Sequence, residues 1–292
     1  MQNIANEEMA AAWNGVSGRA WVDEQQLLDR TYAPIEKLLV DEVAAIGARS
    51  VLDIGCGAGA TTLAVSRNLG SRGRATGIDI SEPLISVARA RAQREESSAQ
   101  FIRADAQTHD FGAASFDLMI SRFGVMFFDD PVAAFANLRT AAPQGGQLRL
   151  VVFRAIAENP FMTTAERAAA PLLTNLPPRK PNAPGQFAFA DVAHVRRILD
   201  GSGWHHVELA PVDIECGFPA ADLERFFTRL GPLGQVLRDA DEATRRRVIH
   251  EVRAAFQSFV RGSEVRFTAA CWLVSAANQR NAGTLASPSR LR

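Results

Sequence analysis

Residues 51–66, VLDIGCGAGATTLAVS, constrain the fold more than any other stretch of this chain. A short apolar run leads straight into a turn carrying Gly55, Gly57 and Gly59, and a helical pattern follows. Glycine lets a backbone approach a ligand closely, and the helix behind the turn offers unpaired N–H groups. Strand, glycine turn and helix therefore read as a nucleotide-binding unit, and the question becomes which nucleotide.

Further strands are legible downstream. RATGIDI (74–80), AQFIRAD (99–105), FDLMISRF (116–123) and QLRLVVF (147–153) read as strands two to five, after a first strand at 51–54. A helix at 60–69 and another opening at Ser81, a side chain suited to N-capping, with Pro83 in the first turn, separate the first three. Asp130-Pro131 opens a helix that stops near PQGG. Alternation of this kind implies parallel strands joined by crossover helices. Later the pattern changes: 157–189 is proline-rich and reads as an insertion, 220–261 reads as two or three amphipathic helices, and strands are expected at 205–216 and 265–277.

Composition narrows the function. The 32 basic and 32 acidic residues of the 292 cancel, which argues against a nucleic-acid or anionic-membrane partner. Arg245-Arg246-Arg247 sits beside Asp239, Asp241 and Glu242 and reads as a solvated helix face. Cys56, Cys216 and Cys271 are widely spaced and odd in number, which opposes a disulfide framework or a structural zinc and fits a reducing cytoplasm. Neither an export signal nor an apolar window long enough to span a bilayer is visible.

The turn itself is ambiguous. Read as Gly55-x-Gly57-x-x-Ala60 it satisfies a dinucleotide fingerprint, which leaves a nicotinamide-dependent oxidoreductase as an alternative. Asp79, at the end of the second strand, suits ribose hydroxyls under either reading. That alternative lacks a Tyr-x-x-x-Lys pair, because Tyr32 is followed at position 36 by glutamate. With VLDIGCGAG, GIDIS, ADAQ, FDLMISRFGVMFFDDP and NLRTAAPQGGQLRLVVF taken together, the chain resembles the class I S-adenosyl-L-methionine (SAM) methyltransferases over about residues 37–278. Within them it is similar to the small-molecule branch that includes the ubiquinone and menaquinone biosynthesis methyltransferases.

The resemblance implies an α/β, Rossmann-like sheet of seven mostly parallel strands with the last antiparallel, an N-terminal helical segment and helical insertions forming a cap. It also implies SAM as cofactor and S-adenosylhomocysteine as product. Asp53, Gly55, Gly57 and Gly59 would line the methionine part, Asp53 facing its ammonium group. Asp79 would hold the ribose with Ile80 against the adenine, Asp105 and Ala106 would read the adenine edge, and Ser121 would touch the cofactor through backbone. Cys56, within the turn, reads as a small packed residue rather than a nucleophile.

Three segments result: an N-terminal helical lid (1–36), a methyltransferase domain (37–278) whose insertions 157–189 and 220–261 lie over the substrate pocket, and a flexible tail (279–292). Trp13 and Trp21, separated by glycines, suit a lid over a cationic ligand, although simple hydrophobic docking explains them equally. The insertions are rich in apolar and aromatic residues, which points to a small, largely apolar acceptor methylated at oxygen, nitrogen or carbon. Segment 220–261 would serve a homodimer as readily as a pocket. Displacement at an activated methyl needs alignment more than acid or base groups. The candidates for such groups are His109, Arg122 and Tyr32, with an ordinary loop histidine and a structural ion pair as the alternatives for the first two. The remaining histidines, His194, His205, His206 and His250, read as surface or structural. Asp129-Asp130 is explained as a helix cap, so no metal is expected. A cofactor-binding protein of the same fold without methyl transfer is the third reading.

Overall fold

In the computed structural model, which describes residues 6–173, 175–179 and 183–279, the apolar run becomes the central strand β1 (Ser50–Ile54). Three helices precede it: α1 (Glu7–Asn14), α2 (Val16–Asp23) and α3 (Gln25–Ile46). The boundary expected at 36/37 falls inside α3, a correction to the segment limits. The reason is a continuous apolar stripe of Leu28, Tyr32, Ile35, Leu39 and Val43 buried along one side of the helix, which carries it through Pro34 without a break.

The nucleotide half then follows the expected alternation. It comprises α4 (Ala60–Leu69), β2 (Arg74–Asp79), α5 (Glu82–Arg94), β3 (Gln100–Arg103), β4 (Leu118–Arg122), α6 (Pro131–Thr140) and β5 (Gln147–Phe153). Ser81 caps α5 by accepting from the Leu84 N–H at 3.4 Å, and Asp130 caps α6 by accepting from the Ala133 N–H at 2.9 Å. Strands β1 to β5 pair in parallel, and Leu52, Ile54, Leu118, Ile120, Leu148 and Leu150 are buried between helical layers.

The later chain contributes α7 (Pro160–Ala169), α8 (Val192–Gly201), β6 (His205–Pro219), α9 (Leu223–Arg229), α10 (Gly231–Asp239), α11 (Glu242–Ala255), β7 (Val260–Arg261) and β8 (Glu264–Ala277). The strand order is β3-β2-β1-β4-β5-β8-β6, with β8 antiparallel to both neighbours. The expected seven strands are present, and the two-residue β7, hairpinned onto β8, makes an eighth. Strand β5 pairs only with residues 271–277 of β8, so the rest of β8 and its partner stretch of β6 project beyond the sheet as a two-stranded ribbon. Phenylalanines dock the cap on that ribbon: Phe161 of α7 stacks on Phe267 of β8 at 3.8 Å, and Phe226 of α9 stacks on Phe218 of β6 at 4.8 Å. Residues 280–292 of the expected tail lie outside the described residues.

Chain order reverses at β1, whose neighbours are β2 on one side and β4 on the other. Crossovers leaving in opposite directions open a crevice at the carboxyl ends of these strands, where open α/β sheets hold their ligands.

Candidate functional site

The floor of that crevice is the glycine turn. Gly55 and Cys56 both donate their N–H groups to the Ile78 carbonyl, at 2.8 and 3.0 Å, which ties the turn to β2. The Asp79 carboxylate bridges the turn and the start of α5, accepting from the Gly57 N–H at 2.8 Å and the Ser81 N–H at 2.9 Å. Burial pushes the Asp79 carboxyl above its ordinary range and these N–H groups oppose the rise. Asp53 lies beneath the turn, 2% exposed, and accepts from the Thr62 hydroxyl at 2.7 Å. Burial raises its pKa to about 6 against the Thr62 hydrogen bond and the charge of Arg122.

Asp105 follows β3. One of its oxygens accepts from the Gln107 N–H at 2.9 Å, and the other is buried with no well-formed hydrogen bond, the Asn6 side chain standing close enough to oppose the rise that burial gives the carboxyl's pKa. Buried polar atoms are nearly always satisfied, so an orphan acceptor facing a cleft fits a ligand donor such as an exocyclic amino group. Asn6 presents a second orphan oxygen to the same cavity. On this test the residues present fit an adenosyl group: an acid for ribose hydroxyls, an acid for an amino group, and a glycine turn between them.

Two adjoining narrow cavities make up the cleft. The first holds Asp79, Ile80, Asp105 and Ala106, the second holds Asp53 and Cys56, and Trp21, Gly55, Gly57, Leu84 and Arg122 belong to both. The N-terminal helices roof it. The Ser81 hydroxyl donates to the Trp13 carbonyl at 2.7 Å, while the Asn14 side chain donates to the Ile80 carbonyl at 3.1 Å and accepts from the Glu82 N–H at 2.9 Å. Trp13 packs edge-on against Trp21 at 5.4 Å and Phe127 at 5.2 Å.

Behind this aromatic wall lies a third cavity of about 790 Å³, enclosed by α2, the β4 and β5 ends, α7, α9, α10 and α11. Trp13, Trp21, Phe123 and Phe127 line both the cleft and this cavity, so they form the partition between them. Phe123 holds φ +70°, an uncommon value for a bulky side chain, and its ring is fixed between Tyr32 at 5.3 Å and Phe153 at 4.3 Å. Strain retained at such a place is a mark of functional sites. Its stabilising contacts come from α3 and from the residue ending β5.

Among the residues expected from sequence, Trp13, Asp53, Gly55, Cys56, Gly57, Asp79, Ile80, Asp105 and Ala106 line the cleft. Gly59 instead packs beneath it, where a Cβ would come within 2.9 Å of Phe101 and Ala88. Ser121 is fully buried, donating to the Ile54 carbonyl at 2.7 Å and accepting from the Val125 N–H at 3.3 Å, so its side chain joins β4 to β1. Cys56 is a buried free thiol whose pKa burial pushes up, which opposes nucleophilic use. Tyr32 lines the large cavity, and burial raises its pKa, so the phenol keeps its proton.

Two of the candidates for the reaction stand outside the large cavity. His109 follows the Asp105 turn and sets its ring against Phe111 at 4.8 Å, and it lines none of the three cavities. Arg122 lines the cleft and not the large cavity, because β4 ends level with the glycine turn. Sequence reading passed over Phe123, Phe127 and Asn6; the first two stand within SRFGVMFF, a stretch whose aromatic density was the available signal.

Residues 51–146 match a family described as "Methyltransferase domain". The chain is 36% identical to aklanonic acid methyltransferase DauC of a Streptomyces species over 42% of its own length and 58% of that protein's. It is 27% identical to nocamycin O-methyltransferase of Saccharothrix syringae, over 65% of this chain and 71% of that one. The aklanonic acid relative is thus matched over less than two thirds of its length. Among solved structures, the YcgJ protein of Bacillus subtilis superposes with a TM-score of 0.55 at 18% identity, covering 84% of this chain and 98% of that one.

Proposed function

We propose that this chain, whose residues 51–146 match a methyltransferase domain, is a class I SAM-dependent enzyme that transfers a methyl group from SAM to an oxygen of a small, largely apolar acceptor. The observation that carries the reading is the buried, unpartnered oxygen of Asp105 in a cleft that shares its aromatic wall with a much larger cavity. The orphan acceptor supports an adenine at one end of the cleft, and the shared wall supports a donor and an acceptor meeting across it.

SAM, when bound, supplies a methyl group already activated by the positive sulfur. The protein's part is to bind, align and exclude water. In this proposal Asp105 takes the adenine amino group, Ala106 and Ile80 flank the ring, and Asp79 holds the ribose. Asp53 faces the ammonium group from beneath the glycine turn. Trp13 and Trp21 close over the donor, their ring faces favouring the positive sulfur, which makes the N-terminal helices a lid. Tyr32 is held protonated and so serves as a hydrogen-bond donor to an acceptor oxygen rather than as a base.

A cavity of about 790 Å³ lined by Phe123, Phe153, Phe161 and Phe226 suits an aromatic or polycyclic metabolite. Arg19, Arg238 and Arg245 also line it, which favours an acceptor bearing an acidic or enolisable group. The names of the two curated relatives, an aklanonic acid methyltransferase and a nocamycin O-methyltransferase, support the same class. A formal net charge of zero supports a small molecule over a nucleic acid. No helix among the described residues is long and apolar enough to cross a membrane.

The test is calorimetric titration with SAM, S-adenosylhomocysteine and NAD, for wild type and Asp79→Ala, followed by a turnover screen with aromatic acids and phenols. Micromolar binding of the two sulfur nucleosides, weakened in the variant and absent for NAD, together with acceptor-dependent release of S-adenosylhomocysteine, is the expected result. Binding of NAD alone would overturn the proposal.

A further inference from the structure

Five arginines and two acids line the large cavity. Both acids are already engaged: Glu166 pairs with Arg179 at 2.7 Å, and Asp23 stands 3.9 Å from Arg229, which also reaches Glu24 at 3.5 Å. Arg19, Arg238 and Arg245 have no ion-pair partner among the described residues, so the cavity carries three uncompensated positive charges. A cavity with apolar walls and one sign of charge concentrates ions of the other sign.

These three side chains come from separate elements that the fold gathers. Arg19 is on α2, Arg238 in the last turn of α10 and Arg245 near the start of α11. The Gln235 side chain donates to the Ser17 hydroxyl at 3.1 Å, joining α10 to α2, and Arg238 lies about one turn beyond Gln235 on the same helix face. Arg245 Nη1 donates to the Leu237 carbonyl at 3.3 Å, which holds the guanidinium at the corner between α10 and α11. The run Arg245-Arg246-Arg247 thus divides. Arg246 and Arg247 are exposed, the former pairing with Glu242 at 3.7 Å, whereas Arg245 is half-buried against the cavity, a correction to the solvated face expected of all three.

Position separates this cluster from the reaction. Cleft and large cavity meet at Trp13, Trp21, Phe123 and Phe127, and no residue of α10 or α11 lines the cleft. The reacting oxygen has to reach that partition, while an anion drawn to Arg238 and Arg245 lies on the cap side. An acceptor that satisfies both has a charged end apart from the oxygen that reacts. Carboxylates and the enolates of 1,3-dicarbonyls spread one charge over two oxygens, which suits arginine forks. We propose that Arg19, Arg238 and Arg245 form a subsite for such an oxyanion, which is the acceptor's handle and not the oxygen methylated. This rests on the acceptor reading above. It makes the three arginines specificity-determining: what they hold sets which oxygen faces the partition.

The experiment is calorimetry on protein saturated with S-adenosylhomocysteine, using two pairs of probes. One pair is 6-hydroxynaphthalene-2-carboxylate and its neutral amide; the other is 5-phenylcyclohexane-1,3-dione, an enolate at neutral pH, and its neutral enol methyl ether. At least one anion should bind about 10- to 100-fold tighter than its neutral partner, and which of them does so identifies the oxyanion. That preference should shrink to within about 3-fold in Arg238→Gln/Arg245→Gln, with the neutral probes and S-adenosylhomocysteine held within about 2-fold, and should persist in Arg246→Gln. Raising salt from about 50 to 500 mM should weaken the anions and not the neutral probes. With SAM, the methylated product of the naphthoate should be the ether, which mild alkali leaves intact. Formation of the ester overturns the assignment, as does an anion preference that survives the double variant or a double variant that weakens the neutral probes equally. Neutral probes bound as tightly as both anions by wild type overturn the subsite while sparing the acceptor reading. Wild type that binds S-adenosylhomocysteine and none of the four probes overturns both.

Discussion

Gly55 and Gly57 stand two residues apart in one turn, and adding a methyl group to each should have opposite consequences. Both hold positive φ, +67° and +54° respectively, so alanine at either costs about 1–2 kcal/mol of backbone strain. At Gly55 the new Cβ would also meet the Gly124 Cα at 2.6 Å, backbone against backbone, with no flexible side chain to yield. Forcing those strands apart adds about 1–3 kcal/mol, for roughly 2–5 kcal/mol in all. At Gly57 nothing lies within 4 Å of the Cβ, so strain is the whole cost to the fold. That open space is the cleft itself. Gly57→Ala should therefore unfold within about 2 kcal/mol of wild type in urea and lose most of its affinity for S-adenosylhomocysteine, on the order of 100-fold if the methyl group displaces the ligand by 1 Å or more. Gly55→Ala should lose stability first, with its binding defect following from misplacement of the turn. Urea denaturation and calorimetry on both variants make the comparison. Equal stability of the two, or wild-type binding by Gly57→Ala, would refute the reasoning.

Other expectations follow from single groups. The folded-state pKa of Asp53, about 6 against an ordinary 3.8, means that the folded chain holds more protons than the unfolded one between about pH 4 and 6. Its contribution to stability is thus full below about pH 4 and is lost as pH rises through 6, roughly 3 kcal/mol over the window. Asp53→Asn should remove that part of the slope when urea unfolding is compared at pH 4, 5, 6 and 8. Asp105→Ala should weaken S-adenosylhomocysteine and 5′-methylthioadenosine alike, by about 10- to 100-fold in calorimetry, because the orphan oxygen belongs to the nucleoside end; weakening of only the former would misplace the adenine. Glu24 is 1% exposed while its partners Arg225 and Arg229 are 48% and 57% exposed, so the two sides of this latch between α3's start and α9 are unequal. Replacing both arginines with methionine should cost about 3 kcal/mol by stranding a buried charge, and Glu24→Gln should cost less because the arginines turn to water; equal costs in urea unfolding would contradict this.

The nucleotide half was legible because each of its signals is local. Ser81 and Asp130 cap the helices that their own neighbours form, and the five parallel strands are short apolar runs bounded by turn residues, so no distant contact was needed to find them. The late chain was legible only in outline. Periodicity in 220–261 gave helices, but it could not place them over the ribbon formed by β6 and β8, because that placement rests on Phe161 meeting Phe267 and Phe226 meeting Phe218, pairs distant or tied by topology rather than by pattern. The eighth strand was invisible for the same reason: Val260–Arg261 is two residues long and exists as a strand only because Glu264–Ala277 turns back on it.

The site divides along a similar line. Asp79 ends β2 and Asp105 stands two residues past β3, so strand position put both at the crevice. Arg122 also ends a strand, yet its residue type suggested acceptor chemistry, whereas it lines the two cavities beside the glycine turn and not the large one. The next residue, Phe123, at φ +70°, lines both the cleft and the large cavity, whereas Arg122 lines the cleft alone. A four-residue stretch, Ser121 to Gly124, fastens β4 to β1, lines the cleft, stands in its partition from the large cavity and leaves room for the Gly55 turn. Separation of the two cavities thus rests on the backbone at Phe123 as well as on its ring, which residue types alone do not show.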